Sequence, residues 1–215
     1  MRVLITGSSL GIGRAIATKF LKEGFFVVGF DIKDSTINND NYTHFNISVT
    51  DKNLPNFSED FDYIINNAGT QNQNDIEVNL KGTINITEKY AFTKNIKSVV
   101  NICSASAHSG AEFPEYTASK GGVLAYTKNV ALRLAKYGAT ANSISPGGVI
   151  TDMNEHILKD EKLYKAVLDE TMLNRWATAE EIAEWTYFVA VINKSMTAQD
   201  ILIDNGEMAK SNFIW

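Results

Sequence analysis

Val3-Leu4-Ile5-Thr6-Gly7-Ser8-Ser9-Leu10-Gly11-Ile12-Gly13 sets a short apolar run against a turn with three glycines, and the segment Ile12 to Lys22 that follows carries apolar residues at three- and four-residue spacing. That succession reads as strand, tight turn and amphipathic helix. Glycines in such a turn allow a sharp reversal, let the backbone approach a pyrophosphate and permit close helix–strand packing, while the helix N-terminus favours the anion. The spacing is G-x-x-x-G-x-G rather than the commoner G-x-G-x-x-G, and a glycine-rich turn that binds nothing is the plain alternative. A strand before it and a helix after it favour the dinucleotide reading.

Outward from this turn, short apolar runs alternate with longer segments of helical period. The runs are Val3 to Thr6, Phe25 to Phe30, Tyr42 to Asn46, Tyr63 to Asn66, Ser98 to Cys103, Thr140 to Ser145 and Ile201 to Asp204, which predicts a parallel sheet of about seven strands. Ile12 to Lys22, Ile76 to Asn95, Tyr116 to Tyr137 and Ala179 to Val191 read as helices covering its two faces. The fold class is α/β, a single doubly wound Rossmann-type domain over residues 1–215. Between 31 and 61, Asn-rich turns and Pro55 leave room for one strand and at most a short helix. Thr151 to Trp176 reads as a helical excursion, where such folds keep a mobile substrate lid.

The composition agrees with a soluble globular chain: 215 residues, 44% hydrophobic, 21% charged, formal charge -5. No basic surface is available for nucleic acid or anionic lipid, so a small molecule is the expected partner. Cys103 is the single cysteine, which excludes an internal disulfide framework and fits a reducing cytoplasm. Met1 leads directly into the first strand without the pattern of a signal peptide, and no apolar run approaches the roughly 20 residues of a membrane span. His44, His108 and His156 are scattered without ligand spacing, so no catalytic metal is expected.

Asp31 ends the second strand, where a carboxylate can accept hydrogen bonds from ribose hydroxyls; otherwise it only starts the turn with Asp34 and Ser35. It favours NAD(H), with NADP(H) the second choice, and Leu10 is not the basic residue a 2′-phosphate would want. Tyr116 and Lys120 stand four apart on a predicted helix, on one face. A neighbouring ammonium makes a phenol of ordinary pKa about 10 a better acid/base at neutral pH. Tyr90 and Lys94 share that spacing but lie near a helix end with no polar strand terminus before them. Tyr116 and Lys120 follow a strand that ends at Ser104, and ligands gather at such ends, so Tyr90 is taken as structural.

Thr6-Gly7-x-x-x-Gly11-Ile12-Gly13, Asn66-Asn67-Ala68-Gly69, Asn79, Ser104, Tyr116-x-x-x-Lys120 and Pro146-Gly147 together, in this order, resemble the short-chain dehydrogenase/reductase family. The likeness extends through Arg175 to Ala183 and Ile203-Asp204-Asn205-Gly206. It implies that Tyr116 is the general acid/base, that Lys120 lowers its pKa and holds the nicotinamide ribose, and that Ser104 hydrogen-bonds the substrate oxygen. Asn79 would hold a water linking Lys120 to solvent. Gly7, Ser9, Gly11, Ile12 and Gly13 would form the pyrophosphate turn, and Asp31, Asn46, Ile47, Asn67, Ala68 and Gly69 the adenosine side. Pro146, Gly147, Val149 and Thr151 would flank the nicotinamide. Asn79 could instead only stabilise a helix kink, and Ser106 rather than Ser104 could face the substrate.

Three departures from the family pattern stand out. The stretch from Gly69 to Asn79 is short, Asn46 stands where an acidic residue commonly meets the adenine, and Asn205 replaces a usual glycine. The resulting expectation is a hydride-transferring oxidoreductase acting on a small alcohol or carbonyl. The alternatives are a 3-oxoacyl-acyl-carrier-protein reductase-like enzyme and a non-catalytic nucleotide sensor, while a glycine-loop methyltransferase has no role for these motifs. Apolar residues beyond one buried face on two helices (Tyr90, Phe92, Val123, Leu124, Tyr126, Val130 and Leu134) predict a homodimer or homotetramer. The terminal Asn212-Phe213-Ile214-Trp215 would pack on a neighbour or on its own domain.

Overall fold

A computed structural model describes residues 1–111 and 113–210. Its first half runs β1 (Arg2–Thr6), α1 (Gly11–Lys22), β2 (Phe26–Asp31), β3 (Tyr42–Asn46), β4 (Tyr63–Asn66), a π-helical stretch Ile76–Gly82, α2 (Thr83–Tyr90) and β5 (Ser98–Ile102). Then come α3 (Ser106–Ser109), α4 (Pro114–Leu134), β6 (Thr140–Pro146), β7 (Val149–Ile150), α5 (Glu155–Leu158), α6 (Glu161–Leu168), β8 (Ala177–Thr178), α7 (Ala179–Tyr187) and β9 (Asp200–Ile203).

Seven strands form one parallel sheet in the order β3-β2-β1-β4-β5-β6-β9. Every residue of β4 and β5 is buried, which is why their sequences run apolar without alternation. Helices α1 and α7, with the π-helical stretch Phe188–Ile192 that continues α7, cover one face, over Ile16, Phe20, Ile182 and Val189. Phe20 meets Phe25 and Tyr187 edge to face, and full burial of such a ring stabilises by about 1.5–3 kcal/mol. Ile86, Tyr90, Val130 and Leu134 from α2 and α4 fill the other face. Helix α7 begins on a capping box in which Thr178 and Glu181 satisfy each other's backbone amides.

Each expected strand is present, with no end displaced by more than one residue. The 31–61 stretch holds β3 and no helix. The helix expected over Ile76 to Asn95 ends at Tyr90, and its first half is π-helical; widened turns of this kind recur at functional sites. The excursion after β6 is helical, as α5 and α6, and is bracketed by the two-residue pair β7–β8, too short to leave a periodic signal. Asn205, in place of glycine, has φ +54, a left-handed conformation that Asn tolerates better than most residues.

The apolar excess read on two helices is corrected by the packing. Tyr90, Val123, Val130 and Leu134 are buried by their own chain, and Phe92 carries the Arg133 guanidinium 3.8 Å over its ring. Among the large apolar side chains left exposed are Leu132 on α4 and a group at Trp185, Phe188, Ile192 and Leu202, around the end of α7 and the edge strand β9. Residues 212–215 lie outside the described residues. Among the described residues no helix is long and apolar enough to cross a membrane.

Candidate active site

Strand β1 lies between β2 and β4, so the chain leaves β1 in one direction across the sheet and later returns to continue in the other. The carboxyl ends of β1 and β4 therefore flank the crevice where α/β sheets take ligands. Each end carries an expected motif: the glycine turn after β1 and Asn67-Ala68-Gly69 after β4. Thr6 Oγ1 accepts from the amides of Asn67 and Ala68 at 3.0 Å each, and Asn67 Nδ2 donates to the carbonyls of Thr6 and Gly7 at 3.1 Å. The Asn67 amide thus shapes the turn. Gly7 has φ +67, and a Cβ at Gly13 would overlap the Gly7 carbonyl, so a side chain at Gly13 would force the helix away from the turn.

The other side of the turn is tied to β2 and β3. The Gly7 amide donates to the Phe30 carbonyl at 2.7 Å, and the Ser9 amide donates to Asp31 Oδ2 at 2.9 Å. Ser9 Oγ donates to the Lys33 carbonyl. Ser9, expected beside the cofactor, is fully buried and holds the loop. Ser8 is buried too, its hydroxyl 2.9 Å from that of Tyr42, which reaches it over Gly29, where a Cβ would overlap both oxygens. Leu10, the N-cap of α1, makes no side-chain cap to the first-turn amides, an arrangement that fits an anionic pyrophosphate. Asp31 Oδ1 accepts from the Lys33 amide at 2.9 Å. Asn46 sits opposite Asp31 in register and donates to Asp34 at 3.2 Å, and the Ile47 amide donates to the Asp31 carbonyl.

On the far side of the crevice, Lys120 lies on the buried stripe of α4 with Val123, Thr127 and Val130. A lysine seldom takes such a place without a partner. Its Nζ donates to the Ile102 carbonyl at 3.1 Å and stands 5.7 Å from the Tyr116 ring centroid. A Cβ at Gly69 would be 3.6 Å from Lys120 Nζ and 3.1 Å from Asn79 Oδ1, so the carboxyl end of β4 touches both. Asn79 Oδ1 accepts from the Thr70 amide, and its Nδ2 donates to the Thr70 carbonyl and to Ser119 Oγ. Ser119 Oγ in turn donates to the Tyr116 carbonyl at 2.7 Å. The π-helical stretch is thereby clamped to the turn of α4 that bears Tyr116 and Lys120.

Ser104 stands two residues beyond the end of β5, and its Oγ accepts from both the amide (3.2 Å) and the hydroxyl (2.8 Å) of Ser106. Its own proton takes part in neither bond. Pro146 and Gly147 close the site beside it: the Ala105 amide donates to the Pro146 carbonyl at 2.8 Å and the Gly147 amide to the Ile203 carbonyl at 3.0 Å. Val149 is buried, paired with Ala177. Thr151 approaches the glycine turn, where a Cβ at Gly11 would be 3.4 Å from its Cγ2. Cys103, beside Ser104, donates from Sγ to the Lys120 carbonyl, and burial pushes its thiol pKa up, opposite to what a reactive thiol needs.

Residues 55–207 match the family model described as enoyl-(acyl-carrier-protein) reductase. The 3-oxoacyl-(acyl-carrier-protein) reductase FabG of Thermotoga maritima is 30% identical, with 94% of this chain and 96% of the relative covered. The chain belongs to the short-chain dehydrogenase/reductase family. A solved short-chain dehydrogenase family protein from Francisella tularensis has TM-score 0.85 at 28% identity, covering 97% of this chain and 99% of that one. A putative 2-deoxy-D-gluconate 3-dehydrogenase from Agrobacterium tumefaciens, solved with bound NADP, has TM-score 0.85 at 27% identity, covering 97% and 96%. As a member of this dehydrogenase/reductase family, the chain is an NAD(P)-dependent oxidoreductase that passes hydride between a nicotinamide cofactor and an alcohol or carbonyl.

Against that family frame, the second Tyr-x-x-x-Lys pair separates cleanly. Tyr90 donates to the Pro55 carbonyl at 2.7 Å among the rings of Phe30, Phe57 and Phe61, and burial raises its pKa to about 12. Several residues that set the site went unread in the sequence. Thr70, Ser119 and Tyr42 are common residue types whose part depends on which segments the fold brings together. Asp75 is another: buried, it accepts from Thr70 Oγ1 and from the amides of Asn72 and Gln73. It organises the shortened stretch before Asn79, where Asn72 and Asn74 take left-handed conformations.

Proposed function

We propose that the chain is an NAD(H)-preferring oxidoreductase of the cytoplasm, that it interconverts a small alcohol and its carbonyl, and that Tyr116 is the general acid/base. The observation that carries this reading is the buried Lys120 ammonium beside the Tyr116 ring, at the crevice floor formed by Ile102, Gly69 and Asn79. A cation there favours the phenolate and so brings the phenol within reach of proton transfer near neutral pH. Bound nicotinamide would supply or accept the hydride. Gly7, Gly11, Ile12 and Gly13 would hold its pyrophosphate, Asp31, Asn46, Ile47, Ala68 and Gly69 its adenosine, and Lys120, Pro146, Gly147, Val149 and Thr151 its nicotinamide end.

Ser104 gives its free proton to the substrate oxygen and so holds it toward Tyr116. Tyr116 then moves a proton to or from that oxygen. Asn79 fixes the helix turn that presents Tyr116 and Lys120, with its side-chain amide engaged by Thr70 and Ser119. Screening the purified protein against a panel of carbonyls and alcohols by NADH absorbance tests the reading. Turnover of at least one small carbonyl is expected, and none across the panel, with cofactor bound, would contradict it.

A second substrate reading has a specific support: the Thermotoga maritima FabG matches over nearly all of both chains. On that reading the substrate is a 3-oxoacyl thioester, and ethyl acetoacetate belongs in the panel as its small analogue. A non-catalytic nucleotide sensor has no use for Tyr116, Lys120, Ser104 and Asn79 together. We further infer a homodimer or homotetramer, supported by the exposed Trp185, Phe188, Ile192 and Leu202. Light scattering at micromolar concentration checks it, since a mass near 23.8 kDa would mean a monomer.

A further inference from the structure

Across 92 residues of sequence, His108 Nε2 donates to Asp200 Oδ2 at 2.8 Å. Asp200 opens the edge strand β9, and its second oxygen, Oδ1, accepts from Ser143 Oγ at 2.5 Å and from Ser145 Oγ at 3.0 Å. Both serines are buried, and two apart on β6 they face the same side of the sheet. Three donors therefore fix the carboxylate, and it is a firm anchor for the imidazole. A polar cluster of this kind, with every member satisfied, rigidifies what it joins.

His108 belongs to α3, a helix of four residues. Nothing so short is stable by its own backbone bonds. The start of the segment is fixed by the Ala105 amide on the Pro146 carbonyl, and its far end by His108 on Asp200. Between these two points lies Ser106, whose amide and hydroxyl both point at Ser104 Oγ. An oxygen that already accepts two hydrogen bonds is held in one rotamer and is polarised as a donor.

We propose that His108 and Asp200 form a latch between α3 and the edge of the sheet, which keeps both donors of Ser106 aimed at Ser104 and so positions the hydroxyl that polarises the substrate carbonyl. This rests on the reading above that Ser104 faces the substrate oxygen. Both are positioning residues. The latch lies on the side of β5 and β6, away from the glycine turn and Asp31 that follow β1 and β2, so the pyrophosphate and adenosine contacts, and with them most of the NADH affinity, do not depend on it.

The test uses the full chain with His108→Leu, which cannot bond Asp200, and His108→Gln, which can place an N–H on it. Turnover is followed with NADH and ethyl acetoacetate, and backbone exchange over 104–110 by deuterium uptake. The expected result for His108→Leu is a kcat lowered about tenfold, as for a misdirected catalytic group, with faster exchange over 104–110 and with NADH Kd and melting temperature near wild type. His108→Gln recovers most of the kcat and the protection. Wild-type exchange over 104–110 in His108→Leu overturns the latch, and so does an equal loss of kcat in both variants or a parallel loss of NADH affinity. If the wild type leaves ethyl acetoacetate unreduced, the thioester reading of the substrate fails, and the exchange result decides the latch by itself.

Discussion

The hydroxyl of Ser106 donates to the hydroxyl of Ser104 across 2.8 Å, with both side chains buried. On the proposed reading Ser104 is the donor to the substrate oxygen, and Ser106 is the residue that holds it. Replacing Ser106 with Ala removes one of the two bonds on Ser104 Oγ. Such a bond contributes about 0.5–1.5 kcal/mol, so kcat should fall about two- to tenfold, less than for Ser104→Ala. Steady-state kinetics of the two variants with one carbonyl checks the order, and a larger loss in Ser106→Ala would reverse their roles.

Tyr42→Phe deletes the hydroxyl that meets Ser8 over Gly29 and leaves the ring in place. A loosened pyrophosphate turn should weaken NADH binding about two- to tenfold, the size of one hydrogen bond, without changing kcat at saturating cofactor. Fluorescence titration with NADH reads the Kd directly, and an unchanged value would show that Ser8 holds without its partner.

Asp31→Ala should narrow the gap between NADH and NADPH from both sides. Removing the carboxylate relieves its repulsion of a 2′-phosphate, so NADPH binds more tightly. It also releases the Ser9 and Lys33 amides and the ribose contacts, so NADH binds more weakly. Parallel titrations of wild type and variant check this, and a wild type that binds NADPH the tighter would overturn the preference.

Glu181 links α7 to Arg175, whose guanidinium, with the Thr178 amide, holds its carboxyl down from 4.5 to about 2. A folded pKa below the unfolded one stabilises above about 4.5 and loses that contribution as pH falls toward 2. Both side chains are more than a third exposed, so Glu181→Gln should destabilise by less than about 1 kcal/mol at neutral pH, with the difference reduced by salt. Thermal melts across the acid range should show the two proteins converging as pH falls, whereas a constant offset would assign the loss to packing.

The strands and the four long helices were legible in the sequence because burial on both faces of a parallel sheet writes itself as apolar runs, and helix burial as a three- and four-residue period. Tyr116, Lys120 and Ser104 were singled out in the sequence by residue type and by their places after a strand, and the fold puts Lys120 Nζ 5.7 Å from the Tyr116 ring centroid. The partners of these residues were not. Asn79 reaches Ser119, and Tyr42 reaches Ser8, through contacts that only the folded chain creates. Ser9 and Asn67 were assigned to the cofactor by motif alone, yet the fold turns their polar groups onto the loop itself. Part of the apolar excess on α2 and α4 is taken up within the chain for a similar reason, by aromatic packing around Tyr90 and by Arg133 over Phe92.

The central claim is that Tyr116 transfers the proton while Tyr90 only packs, and one set of measurements decides it: NADH oxidation by wild type, Tyr116→Phe and Tyr90→Phe against the carbonyl panel, with NADH Kd determined for each. Tyr116→Phe should lose at least about a hundredfold in turnover and bind NADH nearly as wild type. Tyr90→Phe should keep its turnover and lose about 1 kcal/mol of stability with its bond to Pro55. Turnover retained by the Tyr116 variant and lost by the Tyr90 variant would contradict the account.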